Sequence, residues 1–154
     1  MNLELVAEQP LRTQGFFSEG RHGGVGHCEV PPSTMRALPA ANGAAHDAGA
    51  CIWVIEKGHL ALELPSGLHA RFGPGTVLLW DSLQLPRGHW DHARFSYVRL
   101  SPLRHRQILR HAAFFKGRST RRLEQHALAP FLTAQVHTFA AHASTLSATE
   151  LGEV

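Results

Sequence analysis

Cysteine is scarce in this chain, and long hydrophobic runs are missing. Among 154 residues there are two cysteines, Cys28 and Cys51, too few for a disulfide framework and without the close spacing of a zinc site. We therefore expect reduced thiols in a cytoplasmic protein. No apolar run approaches the ~18 residues of a membrane span, and no signal-peptide pattern is visible after Met1, so we expect no membrane partner.

The excess of positive over negative charge is also small. Fifteen Lys and Arg against twelve Asp and Glu leave a formal net charge of +3, too small an excess to indicate a nucleic-acid surface. The chain has no Gly-x-Ser-x-Gly elbow, no phosphate-binding glycine loop and no obvious base partner for either cysteine. We therefore expect no catalytic residues and no enzyme activity. The 12 histidines are scattered, unlike a metal-binding tract.

What the chain does have is a series of short β-type segments separated by turn residues. Four of them follow one another closely: Cys51–Glu56, His59–Leu64, Leu68–Phe72 and Thr76–Trp80. The breaks between them are Lys57-Gly58, Pro65-Ser66-Gly67 and Gly73-Pro74-Gly75. This spacing is typical of a meander that closes into a small barrel or sandwich. Further strands are predicted at Phe16-Phe17, His27–Val30, Ser33–Leu38 and, as the closing strand, Ala93–Leu100.

Helical patterns take over after the last predicted strand. Ser101 followed by Pro102 is typical of a helix start and predicts a helix over Leu103–Phe115. A second helix is predicted over Arg121–Ala143, in which Pro130 either kinks the early part or marks the true start. Its apolar stripe recurs at three- and four-residue spacing and consists of Leu128, Phe131, Leu132, Gln135, Val136 and Phe139.

The last residues of the chain carry a helix-start signal. Ser147 and Glu150 have the spacing of a capping box, but the residues from Leu151 to Val154 are too few for a stable helix. We therefore expect the chain to be a fragment of a longer polypeptide that stops as a third helix begins. A frayed C-terminal tail is the alternative.

Taken in order, these segments resemble the N-terminal effector-binding domain of AraC/XylS-type transcription regulators. The residues that carry the resemblance are Gly58, Gly73-Pro74-Gly75, Leu78–Ser82 and Phe95–Leu100. The resemblance implies an α+β fold in which a cupin-like antiparallel β-barrel is followed by two C-terminal helices. It implies a sensory barrel over residues 1–100 and a helical dimerisation segment over residues 101–154, both within one structural unit.

The resemblance also implies a function. Members of this family act on DNA through two helix-turn-helix units that follow the barrel and the helices, and no such unit fits within these 154 residues. We therefore expect the chain to bind a small-molecule effector without a cofactor or a metal. We expect a homodimer formed through the apolar stripe, and DNA contact only through a C-terminal part missing from this chain.

Three tryptophans bracket the meander and suggest a ligand pocket. Strand alternation places Cys51, Trp53 and Ile55 on one face, and Leu78 and Trp80 on one face of their own strand. If both faces point inward, the rings either line a cavity or fill the core. On the cavity interpretation, Trp53→Ala abolishes effector binding while the fold survives. The predicted ligand-binding residues are Arg36, His46, Trp53, Trp80, His89, Trp90, Arg106 and Arg110.

Arginine pairs suggest an anionic effector. Arg106 and Arg110 lie one helical turn apart, and guanidinium groups bind phosphates bidentately. Arg-x-x-x-Arg also resembles the start of the PilZ-type cyclic-di-GMP motif, although the second part of that motif has no convincing match. A nucleotide effector and a solvated helix face are the two interpretations.

A metal site is the rival interpretation and would make the chain a small standalone metal-dependent cupin enzyme. His89 and His92 partly resemble the second half of the cupin metal-binding pattern, and imidazoles suit iron, manganese or zinc. The His-x-His pair of that pattern is absent, and Glu56 and Glu63 have unsuitable spacing. We therefore expect no metal ligands.

Overall fold

The computed structural model describes residues 3–6, 14–20, 23–37, 50–63, 69–81, 87–100, 120–143 and 145. These ranges contain nine β-strands and one α-helix. The strands are β1 Leu3–Val6, β2 Gln14–Gly20, β3 Gly23–Val30, β4 Ser33–Ala37, β5 Ala50–Glu63, β6 His69–Phe72, β7 Val77–Asp81, β8 Gly88–Leu100 and β9 Thr120–Arg122, and the helix is α1 Ala129–Ala141. The predicted helix Leu103–Phe115, the predicted ligand residues His46, Arg106 and Arg110, and the capping box lie outside the described residues.

Two long antiparallel strands, β5 and β8, organise the sheet. Their pairing runs from Cys51 opposite Arg99 to Leu62 opposite Gly88. At one end β8 also pairs with β3 and β5 with β7, whereas at the other end β8 pairs with β4 and β5 with β6. The predicted antiparallel sheet is confirmed. The predicted strand over Ala93–Leu100 is confirmed as part of β8. It does not close a barrel among the described strands, whose pairings follow an open path from β1 to β9.

The predicted break at Lys57-Gly58 is a bulge within one strand. β5 runs through it, and the register against β8 shifts between Ile55 and Lys57 and again between Lys57 and His59. Gly58 has a φ of +71°, a left-handed conformation that glycine adopts without steric cost. An irregularity of this kind bends a strand without ending its pairing. Lys57-Gly58, which predicted a turn between two strands, therefore marks a bend within β5.

The two faces of β5 belong to two different hydrophobic clusters. Cys51, Trp53 and Ile55 are buried in one cluster together with Leu78 and Trp80, which confirms the predicted alternation. The residue between them, Val54, belongs to a second cluster that includes Val136 and Ala140 of α1. The helix therefore covers the face of the sheet opposite to the tryptophans.

The predicted second helix is confirmed only in its C-terminal part. Thr120–Arg122 forms β9 and pairs with β7, with Leu78 opposite Arg122. The helix starts at Ala129 with Pro130 in its first turn, the place where a missing N–H and a fixed φ cost least. Of the two interpretations of Pro130, a true helix start is therefore confirmed. Among helices of the described ranges, none has the length and apolar character needed to cross a bilayer.

Candidate functional site

The three tryptophans lie in a tightly packed cluster. Trp53, Trp80 and Trp90 are 3%, 2% and 1% exposed. The Trp53 ring centroid lies 3.9 Å from that of Trp80 and 5.2 Å from that of Trp90, and Trp90 stacks on Phe95 at 4.6 Å. This packing favours rings that fill the core. Nε1 of Trp80 is buried with no hydrogen-bond partner among the described residues, and ligand contact at this cluster stays a prediction.

Of the other predicted pocket residues, His89 lies on the face of β8 opposite to Trp90. His89 is exposed, whereas the next residue of β8, Trp90, is buried, because successive residues of a strand point to opposite faces. Arg36 lies on β4 opposite Glu4 of β1. His89 and His92 are both exposed, and within the described ranges no three His, Cys, Asp or Glu residues are grouped so that they could hold a metal ion.

The predicted dimerisation stripe is divided between two surroundings. Val136 is buried against the sheet, and Leu132 and Phe139 pack partly against the same cluster. Leu128 and Phe131 are 64% and 67% exposed, and Gln135 is exposed as well. Part of the stripe therefore serves packing within the chain, because a short helix lying on a sheet must bury one of its faces there.

A groove of about 600 Å³ lies between α1 and the sheet, and we call it the helix–sheet groove. Its volume is within the range of small-molecule sites. Its apolar wall includes Val54, Ala140 and Ala141. Its polar lining includes His27, Glu56, Arg94, Ser96 and His137. A mostly apolar groove with a few polar groups has the general chemistry of a ligand site.

Strand register explains how the polar residues reach the groove. His27 of β3 and Val54 of β5 lie on either side of Ser96 in β8, so the three side chains share one face of the sheet. Glu56 is the extra residue at the first register shift, where Ile55 pairs with Phe95 and Lys57 with Arg94. Bulges often re-aim a side chain next to a functional site.

Glu56 is the centre of the polar network in the groove. Its Oε2 lies 2.9 Å from Nε of Arg94, and its Oε1 accepts a hydrogen bond from Oγ of Ser96 at 2.5 Å. Nε2 of His137 lies 3.5 Å from the same Oε1. One carboxylate on β5 therefore connects β8 and α1 across the groove.

The Ser96 hydroxyl should contribute more to stability than the ion pair beside it. Ser96 is 3% exposed, whereas the Arg94 side chain is 49% exposed, and exposed ion pairs contribute only ~0–1 kcal/mol. We expect Ser96→Ala to lower the free energy of unfolding by about 1.5–3 kcal/mol, since the hydrogen bond goes to a charged acceptor. Urea denaturation measures this change.

A matched control for this prediction is Thr138→Ala. Oγ1 of Thr138 donates to the carbonyl of Ala134 at 2.9 Å on the exposed face of α1, and its removal should change stability by no more than ~0.5 kcal/mol. Equal losses in the two variants would show that the Glu56 network does not hold the groove together.

Both cysteines are at least partly withdrawn from solvent, Cys51 fully buried and Cys28 half-buried. Neither Cys28 nor Cys51 is part of a disulfide. Burial raises the pKa of the Cys28 thiol above its ordinary value, which keeps this thiol protonated and a poor nucleophile at neutral pH.

Comparisons with known proteins place the fold. No protein-family model matches the sequence, and no curated protein does. The structure is similar to that of the AraC-like transcriptional activator CuxR, with a TM-score of 0.74, 11% sequence identity and coverage of 98% of this chain and 55% of that one. ToxT from Vibrio cholerae O395 overlaps with a TM-score of 0.45 at 11% identity over 94% of this chain and 53% of that one. The cupin domain of Cnp3 from Schizosaccharomyces pombe has a TM-score of 0.43 at 13% identity, over 73% of this chain and 75% of that one.

The match to CuxR concerns the whole of this chain and part of the regulator. The chain spans 55% of the length of CuxR. The TM-score of 0.74 shows agreement in fold over these residues, although only 11% of them are identical. The antiparallel, AraC-like fold that the resemblance implied is therefore confirmed. The described residues show one helix and an open path of strands, so the implied closed barrel and second helix are not part of what is confirmed.

Proposed function

We propose that this chain is the effector-sensing domain of an AraC-type transcription regulator and not an enzyme. The observation that supports the proposal is the agreement in fold with an AraC-like transcriptional activator over 98% of the chain. In this proposal a small molecule binds the domain, and a DNA-binding part outside these residues responds. The domain works in the cytoplasm and as a homodimer. The exposed side chains of Phe131 and Gln135 on α1, and of Leu128 just before it, provide a surface for the dimer.

The mechanism we propose is a shift between two populations of the domain. A ligand changes such an equilibrium only by its difference in affinity for the two states. The helix–sheet groove offers this difference, because Glu56 and Arg94 belong to the sheet and His137 to α1. A ligand that contacts both sides binds best when α1 is seated on the sheet. The position of α1 is then coupled to effector binding.

Thermal stability provides the first test. A ligand at 100 times its Kd should raise the free energy of unfolding by about 2.7 kcal/mol, which corresponds to roughly 5–11 °C in Tm for a domain of this size. The panel contains one compound from each of four classes of effector: the sugar glucose, the aromatic acid benzoate, the amine putrescine and the nucleotide cyclic-di-GMP. We expect a saturable rise in Tm with one class, measured by scanning fluorimetry. Chemical conversion of the bound compound would instead favour the cupin-enzyme alternative.

The parent reading frame provides the second test. We expect the encoded polypeptide to continue beyond Val154 with two helix-turn-helix units. A frame that contains no such units would contradict the regulator assignment, whatever the thermal shifts show.

A further inference from the structure

In the helix–sheet groove, the acceptor oxygens of Glu56 already have partners within the protein. Both carboxylate oxygens of Glu56 are already engaged, Oε2 by Arg94 and Oε1 by Ser96, with His137 close by. The Glu56 side chain is only 22% exposed. A carboxylate in this position has little capacity left for a ligand. Arg94, which also lines the groove, carries only donors.

Arg94 has the largest remaining donor capacity. A guanidinium carries five N–H donors in a fixed fork, and the pairing of Arg94 with Glu56 is made through Nε. Beyond Nε, the guanidinium carries two terminal nitrogens, Nη1 and Nη2, which hold four of its five N–H donors. The side chain is 49% exposed and lines the groove. The edge formed by Nη1 and Nη2 has the geometry that binds a carboxylate bidentately.

The surrounding charges favour an anion at this edge over a cation. Glu29 and Lys57 lie opposite Arg94 on the two neighbouring strands, and their charges offset each other. An anion on the Nη edge is closer to the guanidinium than to Glu56, which occupies the Nε side, so attraction exceeds repulsion. A cationic ligand would have to displace Arg94 from Glu56 and would be repelled by the displaced guanidinium.

The apolar wall of the groove indicates the chemistry of the part of the ligand that does not contact Arg94. Val54, Ala140 and Ala141 are small or aliphatic and line the groove from both the sheet and α1. A volume of about 600 Å³ exceeds what an inorganic ion requires and suits a ligand with a compact apolar body. We infer that the helix–sheet groove binds a small organic carboxylate whose charged group is held by Arg94 and whose body packs between β5 and α1.

This inference rests on the proposed sensor function for its biological meaning, but it is tested independently. The experiment is a ¹H–¹⁵N NMR titration of the full chain with three compounds of equal size and different charge: benzoate, benzamide and benzylamine. We expect benzoate to shift the amides of Arg94, Ser96 and His137 in a saturable way, with a Kd about tenfold or more below that of benzamide. Benzylamine should cause no saturable shift of these amides.

Arginine variants decide whether Arg94 is the anchor. Arg94→Ala should weaken benzoate binding about tenfold or more, since a charged hydrogen-bonding partner is lost. Arg94→Lys keeps the charge without the fork and should lose about threefold to tenfold. Arg71→Ala is the matched control, because Arg71 is an exposed arginine paired with Asp91 at 4.0 Å; its affinity for benzoate should stay within about twofold of the unmodified chain.

Four results would overturn the inference. They are no saturable binding of benzoate, equal affinity for benzoate and benzamide, unchanged affinity in both Arg94 variants, and shifts that map to the tryptophan cluster instead of the groove. Binding of inorganic phosphate as tight as that of benzoate would overturn the role given to the apolar wall. None of these results concerns the reading frame beyond Val154, which tests the proposed sensor function independently. Chemical shifts of residues far from the groove report whether each variant is folded.

Discussion

Replacing Trp53 with alanine should lower the free energy of unfolding by about 3–5 kcal/mol, the usual range for a buried aromatic residue. The side chain is 3% exposed, and its ring lies 3.9 Å from Trp80, 5.2 Å from Trp90 and 4.9 Å from Phe95. Truncation removes these contacts and leaves a cavity that the surrounding strands cannot close. Urea denaturation followed by circular dichroism measures the loss without depending on tryptophan fluorescence.

The conservative variant Trp53→Phe is the control for this prediction. A smaller ring keeps part of the aromatic packing and should restore roughly half of the lost stability. A loss below ~1 kcal/mol in Trp53→Ala would contradict the packed core, because only an open cavity tolerates such a truncation. In that case the sequence-based interpretation of Trp53 as a pocket residue would be correct.

Gly58→Ala should destabilise the protein by about 3 kcal/mol or more, through two separate causes. At a φ of +71° any Cβ is strained, which costs ~1–2 kcal/mol. The added Cβ would also lie 2.3 Å from the carbonyl oxygen of His92 and 2.4 Å from that of Asp91. Both contacts are to backbone, so relief requires β5 and β8 to separate at the bulge. The free energy of unfolding in urea is the readout.

Gly75→Ala separates the two causes. Gly75 has a comparable φ of +81°, but a Cβ there would have no atom within 4 Å outside its chain neighbours. We expect it to show the conformational cost alone, ~1–2 kcal/mol. Similar losses in the two variants would mean that β5 and β8 do not approach each other closely at Gly58.

Local sequence pattern was sufficient to predict the position of most strands of the sheet. Alternating apolar residues and turn residues located the strands around Cys51, Phe72 and Trp80, and alternation assigned Trp53 and Ile55 to the same buried face. The errors occurred where a local signal has two meanings. Lys57-Gly58 fits a turn as well as a bulge, because both need a residue with positive φ, and only the pairing of β5 with β8 on both sides of Gly58 decides between them.

The helix boundary illustrates a second kind of error. Arg121 and Arg122 fit the start of a helical pattern when read alone, but pairing with β7 makes them part of a strand. Tertiary hydrogen bonds override a weak local preference in such short segments. Pro130 was the reliable signal, since its restriction to the first turn of a helix is a property of its own ring.

Residue patterns along the chain were sufficient to predict the antiparallel class, the position of most strands, a helix that includes Pro130 and the resemblance to AraC-type regulators. Only the tertiary structure brought together the polar residues of the helix–sheet groove. Glu56 and Ser96 are 40 residues apart in the chain, and His137 comes from α1. No local spacing relates them, because their proximity depends on the register of β5 with β8 and on which face of α1 packs against the sheet. Residues that look unremarkable along the chain thus form the groove, whereas the conspicuous tryptophans pack into the core.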